Sequence, residues 1–190
     1  MTTRVAVLGA GAWGTALAAH LARRGDATVT LWARDSDSAR TLADARRNER
    51  YLPGVALPKA LCVSGDLAAV AQSDLLIAAT PMAALPELAD ALLRVHAHAP
   101  LVWVSKGFLE VPASAVWPAG VALGHQVLES RWPSPVGVVS GPSFAEEVAR
   151  GLPTAVAVAA TKSSLATKVG ELLRGDTMRV MCSKAPWLKC

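Results

Sequence analysis

Short apolar runs alternate along the chain with segments in which apolar residues recur every three or four positions. The apolar runs are continuous, which is typical of strands that are buried on both faces of a sheet. Strands are predicted at Val5–Leu8, Thr28–Ala33, Leu75–Ala79, Leu101–Val104, Val136–Val139 and Thr154–Ala159. Helices are predicted at 14–24, 36–47, 82–92, 143–150 and 165–173. This alternation predicts an α/β fold with a mainly parallel sheet covered by helices on both faces.

One segment, 111–135, interrupts the alternation with several Pro and Trp residues. We interpret it as a connection that contains one helix near 119–128. No repeat of fixed period and no low-complexity linker divides the chain. The pattern therefore predicts a single domain over residues 1–180, with residues 181–190 as a tail outside it.

Composition supports a globular fold, because 52% of the residues are hydrophobic and 18% are charged. The net charge of +4 comes from scattered Lys and Arg residues that form no dense block, so no nucleic-acid partner is expected. A mildly positive net charge does suit phosphorylated, anionic ligands. Since no secretory signal or membrane-spanning apolar run is visible, we expect a cytoplasmic protein without stable membrane insertion.

Neither the cysteines nor the histidines suggest a metal centre. The three cysteines lack metal-ligand spacing, and we interpret them as thiols in a reducing compartment: Cys62, Cys182 and Cys190. The four histidines are interpreted as structural or exposed: His20, His96, His98 and His125.

A glycine-rich turn directly follows the first predicted strand and opens the first predicted helix. Gly9, Gly11 and Gly14 have the spacing G-x-G-x-x-G. In such a turn the first glycine permits the bend, the second lets a diphosphate approach the backbone, and the third lets helix and strand pack closely. Amides at the helix start would hold the anion. The motif predicts a Rossmann-like, doubly wound dinucleotide-binding domain, in which Trp13 either packs the helix or lies beside the cofactor.

The end of the second predicted strand bears on the choice of cofactor. Arg34 stands there, followed by Asp35. An acidic residue at this position would bind the ribose hydroxyls of NAD, whereas an Arg accommodates the 2′-phosphate of NADP. Because Arg34 comes first, we favour NADPH, with use of NAD as well as NADP left open. The alternative is a solvated Arg-Asp pair, with Asp35 or Ser36 capping the next helix.

Two further residues lie where ligands collect in open α/β sheets, at the carboxyl ends of strands. Lys106 follows the predicted strand Leu101–Val104, and its ammonium group could contact a phosphate or a carbonyl oxygen. Ser143 follows a Gly-Pro pair after another strand and opens a predicted helix. We expect Ser143 to cap this helix, a role that is compatible with a ligand contact.

Five segments together resemble bacterial NAD(P)-dependent glycerol-3-phosphate dehydrogenase, in the correct order over residues 4 to 180. They are G-A-G-A-W-G-T-A-L-A at 9–18, N-E-R-Y-L-P-G at 48–54, S-K-G at 105–107, S-G-P-S-F-A-E-E-V-A at 140–149 and G-L-P-T-A at 151–155. The resemblance implies hydride transfer between a nicotinamide nucleotide and a three-carbon phosphate. That reaction interconverts dihydroxyacetone phosphate and glycerol 3-phosphate, a precursor of phospholipids.

The resemblance also implies a role for each matching position. Cofactor contacts are implied for Gly9, Gly11, Ala12, Trp13, Gly14, Arg34, Tyr51, Lys106 and Ala145. Substrate contacts are implied for Lys106, Gly141 and Ser143. A homodimer is compatible with full-length members of the family.

The chain departs from the family in one respect. Members carry a C-terminal helical domain whose catalytic lysine lies in a segment like G-G-A-x-K-N, and residues 1–190 contain no such segment. We therefore assign no catalytic residue, expect the helical domain to be absent, and expect this chain to be inactive or strongly impaired alone. One alternative is a non-catalytic dinucleotide-binding module. Another is a ketopantoate or hydroxyacid reductase with the same fold, which segment 140–149 disfavours.

Overall fold

An eight-stranded sheet forms the centre of the computed structural model, which describes residues 2–183. The strands are β1 Thr3–Leu8, β2 Ala27–Trp32, β3 Arg47–Asn48, β4 Leu52–Ala56, β5 Cys62–Ser64, β6 Leu75–Ala78, β7 Leu101–Trp103, β8 Leu109–Glu110, β9 Val121–Ala122, β10 Val136–Ser140, β11 Thr154–Ala160 and β12 Met178–Cys182. The helices are α1 Ala12–Arg24, α2 Ser36–Ala45, α3 Leu67–Ala71, α4 Leu85–Arg94, α5 Gly124–Leu128, α6 Ala145–Ala149 and α7 Ser163–Leu173, with a 3-10 turn at Met82–Ala84.

The order of strands in the main sheet is β12-β11-β10-β7-β6-β1-β2-β5. Neighbouring strands pair in parallel, except for β10 and β11, which are antiparallel. From β1 the chain first builds outward through β2 and β5, and then returns to place β6 on the other side of β1. This reversal is the topological switch point at which such sheets bind ligands. The prediction of a Rossmann-like, doubly wound, mainly parallel sheet is confirmed.

Each central strand is buried on both faces, as its continuous apolar sequence predicted. In β1, Val5 and Val7 pack into the core beneath α1 and α7, whereas Ala6 and Leu8 pack into the core beneath α4. Burial of that apolar area on both sides provides most of the driving force for the fold. The core beneath α1 and α7 also contains buried residues of α2 and α6. The core beneath α4 also contains buried residues of α3 and α5.

Several elements differ from the prediction. β5 and β12 were missed, because β5 has three residues and β12 alternates between buried and exposed positions. The helix expected near 119–128 is wrong in its first half, where Val121–Ala122 instead pair with Leu109–Glu110. Gly120 has a φ of 67°, which favours a turn before β9 rather than a helix.

The far end of the sheet is covered on one face only. Along β11, Val156 and Val158 are buried, whereas Ala155 and Ala157 on the opposite face are exposed. β12 extends to Cys182, two residues past the domain boundary expected at 180. Residues 184–190, and with them most of the expected tail and Cys190, lie outside the described residues. Within residues 2–183, no helix has the length and apolar character that crossing a membrane requires.

Candidate nucleotide-binding site

The glycine-rich turn is held against the neighbouring strand ends by close backbone contacts. Gly9 leaves β1 with a φ of 119°, and its amide donates to the carbonyl oxygen of Trp32 at 2.9 Å. A Cβ atom on Gly9 would lie 2.9 Å from the carbonyl oxygen of Ala79, and one on Gly14 would collide with the carbonyl oxygen of Gly9. Both positions therefore require glycine, for the bend and for the close approach of α1 to β1.

Gly11 differs from these two glycines because open space surrounds it. A Cβ atom here would meet no heavy atom within 4 Å, and the backbone is extended, with a φ of −72°. Gly11 is the N-cap of α1 and makes no side-chain capping bond. The first amides of a helix have no partner within the helix and carry its positive dipole end. The turn therefore has both the donors and the space that a diphosphate needs.

A cleft of about 430 Å³ opens beside the turn at the switch point between β1 and β6. It brings together six of the residues predicted from the sequence: Gly11, Ala12, Trp13, Lys106, Ser143 and Ala145. Gly9 and Gly14 lie behind it as packing positions. Another hollow of about 450 Å³, along the outer strand β12, contains none of the predicted residues.

Besides Gly9 and Gly14, three predicted residues do not line the cleft. Arg34 and Tyr51 are exposed, and the guanidinium carbon of Arg50 lies 5.0 Å from the centre of the Tyr51 ring. Gly141 directly follows β10, and a Cβ atom there would lie 2.8 Å from the carbonyl oxygen of Ala155. Its observed role is to let β10 and β11 approach closely, and the structure does not bring it into the cleft.

Lys106 is exposed just beyond β7, at the carboxyl edge of the sheet. It forms no ion pair with any residue in the described part of the chain. Its neighbour Ser105 donates a hydrogen bond to the carbonyl oxygen of Thr80, which joins the ends of β6 and β7. The ammonium group thus stands at the mouth of the cleft on an anchored strand end, available to an anionic or carbonyl ligand.

Ser143 lies in the cleft but does not cap a helix. The N-cap of α6 is Phe144, which makes no side-chain capping bond, so the expectation that Ser143 caps this helix is wrong. The segment after Pro142 stays extended for one residue more than expected before it turns. The Ser143 hydroxyl makes only a long bond of 3.4 Å to the carbonyl oxygen of Gly141, and is therefore available to a ligand.

Arg34 and Asp35 have separate roles. The Asp35 carboxylate caps α2 and accepts from the Ser38 amide at 2.8 Å. Hydrogen bonds from Ser38 hold the pKa of Asp35 below its usual value. Arg34 is exposed beside it and forms no ion pair with a described residue. Asp35 is thus engaged as a helix cap, whereas the Arg34 guanidinium has no carboxylate partner among the described residues.

Two polar residues of the site were missed by the sequence analysis. Thr80 lines the cleft, and its hydroxyl oxygen is buried without a hydrogen-bond partner among residues 2–183. An unpaired buried hydroxyl is costly, so a polar ligand group that reached it would relieve an unfavourable state. Asn48 is buried behind the glycine turn and contacts it directly. The sequence assigned no role to either residue, because both roles arise from contacts between distant segments.

The histidine and metal predictions concern other parts of the fold. His20 is buried in α1, and its Nε2 atom lies 2.8 Å from the carbonyl oxygen of Leu173, so its structural role is confirmed. Burial lowers the pKa of His20. Cys62 and Cys182 are free thiols. Among residues 2–183, no group of His, Cys, Asp and Glu side chains is arranged to hold a metal ion.

The chain matches one protein family over most of its length. Residues 4–166 match the family described as the N-terminus of NAD-dependent glycerol-3-phosphate dehydrogenase. Glycerol-3-phosphate dehydrogenase [NAD(P)+] of Delftia acidovorans is 47% identical over 180 residues, which are 93% of this chain and 53% of that protein. The corresponding protein of Methylibium petroleiphilum is 47% identical over 96% of this chain and 53% of its own length. The chain spans about half the length of the curated relatives it matches.

Solved structures agree with this match. The crystal structure of glycerol-3-phosphate dehydrogenase from Coxiella burnetii superposes with a TM-score of 0.83 at 33% identity, over 96% of this chain and 54% of that one. A ketopantoate reductase from Ralstonia eutropha superposes with a TM-score of 0.65 at 18% identity, over 95% of this chain and 56% of that one. This second likeness shows the shared fold alone.

Proposed function

Because this chain belongs to the NAD-dependent glycerol-3-phosphate dehydrogenase family, through its N-terminal region, we propose that it forms the nucleotide-binding half of an enzyme that interconverts dihydroxyacetone phosphate and glycerol 3-phosphate. The observation that carries this proposal is the cleft at the switch point, where the glycine turn, Lys106 and Ser143 meet. Both proposed ligands are anions, and both would enter at the carboxyl edge of the sheet.

The nucleotide is proposed to bind along the glycine turn. Amides at the start of α1 would hold the diphosphate, and the open space at Gly11 would admit it. Ala12, Trp13 and Ala145 line the neighbouring cleft, with Trp13 only partly buried and able to pack against the nucleotide. The exposed residues Arg34 and Tyr51 would contact the parts of the nucleotide that extend beyond the cleft, with Arg34 at the adenosine end.

The substrate is proposed to lie between Lys106 and the β10–α6 connection. The Lys106 ammonium would bind the phosphate or the carbonyl oxygen, and Ser143 would line the pocket beside it. Gly141, which lies outside the cleft, would contribute by holding the β10–α6 connection close to β11. When bound, the nicotinamide nucleotide supplies or accepts the hydride. Hydride transfer to a ketone leaves negative charge on oxygen, which a nearby ammonium group stabilises without any proton transfer.

Protonation of that oxygen needs a positioned acid, a contribution of about 10²–10⁴-fold in rate. Residues 1–190 contain no segment like G-G-A-x-K-N, and no described residue is assigned as the acid. The glycine turn, with its open space at Gly11, needs no such acid, and it supports a second candidate function, a dinucleotide-binding module without turnover. Measuring oxidation of NADPH by dihydroxyacetone phosphate, with ketopantoate as a comparison substrate, separates the two functions. Turnover at an ordinary enzymatic rate would support the complete reaction in these residues.

The proposal is tested by nucleotide binding to the purified chain and to a Gly11→Ala variant. The added methyl group meets no protein atom and the backbone angles suit alanine, so thermal stability should be unchanged. The methyl group would fill the space proposed for the diphosphate, and NADPH affinity, measured by fluorescence titration, should fall about tenfold or more. Equal affinity in the two proteins, or a folded wild-type chain that binds no nicotinamide nucleotide, would contradict the proposal.

A further inference from the structure

Asn48 is a buried polar residue that touches the glycine turn from behind. Only 5% of its surface is exposed. Its Nδ2 atom donates to the carbonyl oxygen of Ala10 at 2.9 Å and to Oγ1 of Thr15 at 2.7 Å. Thr15 is fully buried in the first turn of α1. One side-chain amide thus ties together the loop portion and the helical portion of the turn, although it comes from a segment far away in the sequence.

The contact with Ala10 fixes the orientation of one peptide group. The carbonyl of Ala10 and the amide of Gly11 belong to the same planar trans peptide, so they point in opposite directions. Asn48 holds the carbonyl on the protein side, and the Gly11 amide is therefore directed to the open side, towards the cleft that Gly11 lines. If this peptide flipped, a carbonyl oxygen would face the proposed diphosphate and repel it.

Asn48 itself is firmly placed. It pairs with Leu52 in the β3–β4 hairpin, and its carbonyl oxygen accepts from the amide of Tyr51 at 3.3 Å. Leu52 is 1% exposed and anchors the hairpin in the core. At the base of the hairpin, the Arg46 guanidinium donates to the carbonyl oxygen of Leu61 at 2.9 Å and also to that of Pro58. The same hairpin therefore orients the turn through Asn48 and presents Tyr51 beside it.

We propose that Asn48 is a positioning residue for the nucleotide diphosphate, which acts by orienting the Ala10–Gly11 peptide. This inference rests on the proposed function and deepens it. Asn48 is not expected to touch the ligand, since its amide is already engaged on the protein side. Loss of Asn48 should lower the affinity for ligands that contain a diphosphate. It should leave unchanged the affinity for ligands that bind only at the adenosine end, near Arg34.

Two substitutions separate this role from general stability. Asn48→Asp keeps the shape and, in its ionised form, can still accept from the Thr15 hydroxyl but cannot donate to the Ala10 carbonyl. Asn48→Leu removes both bonds. Thr15→Val is the matched control, because it removes the helix contact and leaves the bond to Ala10 in place. Both Asn48 variants should raise the Kd for NADPH about tenfold, and Thr15→Val should stay within about twofold even if its Tm falls.

The experiment titrates the full chain with NADPH and, separately, with adenosine 2′-monophosphate, which has no diphosphate. We expect the Asn48 variants to lose affinity for NADPH alone. In ¹⁵N-labelled protein, the Gly11 amide resonance should shift on addition of NADPH in the wild type and not in Asn48→Asp.

Two outcomes would overturn the inference while the proposed function stands. The first is an NADPH affinity in both Asn48 variants equal to that of the wild type. The second is an equal loss of affinity for both ligands that follows the loss in Tm. If the folded wild-type chain binds no nucleotide, the proposed function fails and this inference fails with it.

Discussion

At the scale of single residues, we propose that charge at the end of β2 sets the preference between NADP and NAD. Asp35 is committed to capping α2, and the exposed Arg34 next to it has no carboxylate partner among the described residues. A guanidinium group pairs with a phosphate through two parallel hydrogen bonds, a geometry that a ribose hydroxyl cannot offer. We therefore expect tighter binding of NADPH than of NADH.

Replacing Arg34 by Ala should raise the Kd for NADPH about tenfold and change the Kd for NADH by less than about twofold. The physical reason is that only NADPH carries the 2′-phosphate. Isothermal titration calorimetry with both nucleotides provides the measurement. Arg40→Ala is the control, since Arg40 is an exposed arginine of α2 that already pairs with Asp37. If Arg34→Ala lost affinity for NADPH and NADH equally, Arg34 would instead contact the adenine or stabilise the fold.

At the scale of elements, His20 joins α1 to the end of α7. The hydrogen bond to the Leu173 carbonyl requires a donor at Nε2, and the neutral ring can provide it. Burial lowers the pKa of His20 in the folded protein, and nearby Arg24 and Arg23 lower it further. The unfolded chain, with the ordinary His pKa of 6.5, therefore binds a proton more readily than the folded one.

It follows that the contribution of His20 to stability is fully present above pH 6.5 and is lost as the pH falls towards the depressed folded pKa. Urea unfolding between pH 7.5 and 5.5 should show a fall in the midpoint for the wild type. His20→Gln, whose amide can donate to the same carbonyl but does not titrate, should show a smaller fall. If the midpoint urea concentration fell equally with pH in the two proteins, the pH dependence would come from groups other than His20.

The sequence allowed the elements to be predicted where burial on both faces leaves a continuous apolar run, as in β1, β6 and β7. It failed where a strand is short or lies at an edge, because β5 and β12 derive their stability from pairing with neighbours rather than from their own composition. The antiparallel direction of β11 was equally invisible, since a strand has the same apolar pattern in either direction.

The sequence predicted the location of some residues beside the cleft and missed others, for related reasons. Gly11, Lys106 and Ser143 could be placed, because each follows a strand and the carboxyl ends of parallel strands share one edge of the sheet. Asn48 could not be placed, because its importance lies in a hydrogen bond to Ala10, 38 residues earlier. Thr80 was missed because its hydroxyl lacks a hydrogen-bond partner only as a result of how the chain packs, which no spacing of residues in the sequence predicts.

At the scale of the whole molecule, the cleft is lined by Val104 from one hydrophobic core and Met82 from the other, so a ligand bound there should stabilise both cores. A ligand at one hundred times its Kd adds about 2.7 kcal/mol to the free energy of unfolding. For a chain of 190 residues, each kcal/mol raises the Tm by about 2–4 °C. Saturating NADPH should therefore raise the Tm by about 5–11 °C.

Differential scanning fluorimetry over a range of NADPH concentrations measures this shift. The Gly11→Ala variant supplies the control, because it should begin at the same Tm and gain little from NADPH. A shift of equal size in both proteins would mean that the stabilising ligand binds outside the glycine turn.

The antiparallel pairing of β10 with β11 has a consequence for how this architecture can diversify. If β11 ran parallel to β10, the connection between them would have to cross the full height of the sheet. Because β11 is antiparallel, residues 141–153 begin and end at the same edge of the sheet. Gly141, Ser143 and Ala145 all belong to that looped excursion. The length and sequence of this loop can change while the register of every parallel strand stays as it is. Evolution can therefore alter this side of the cleft without changing the part of the sheet that carries the glycine turn.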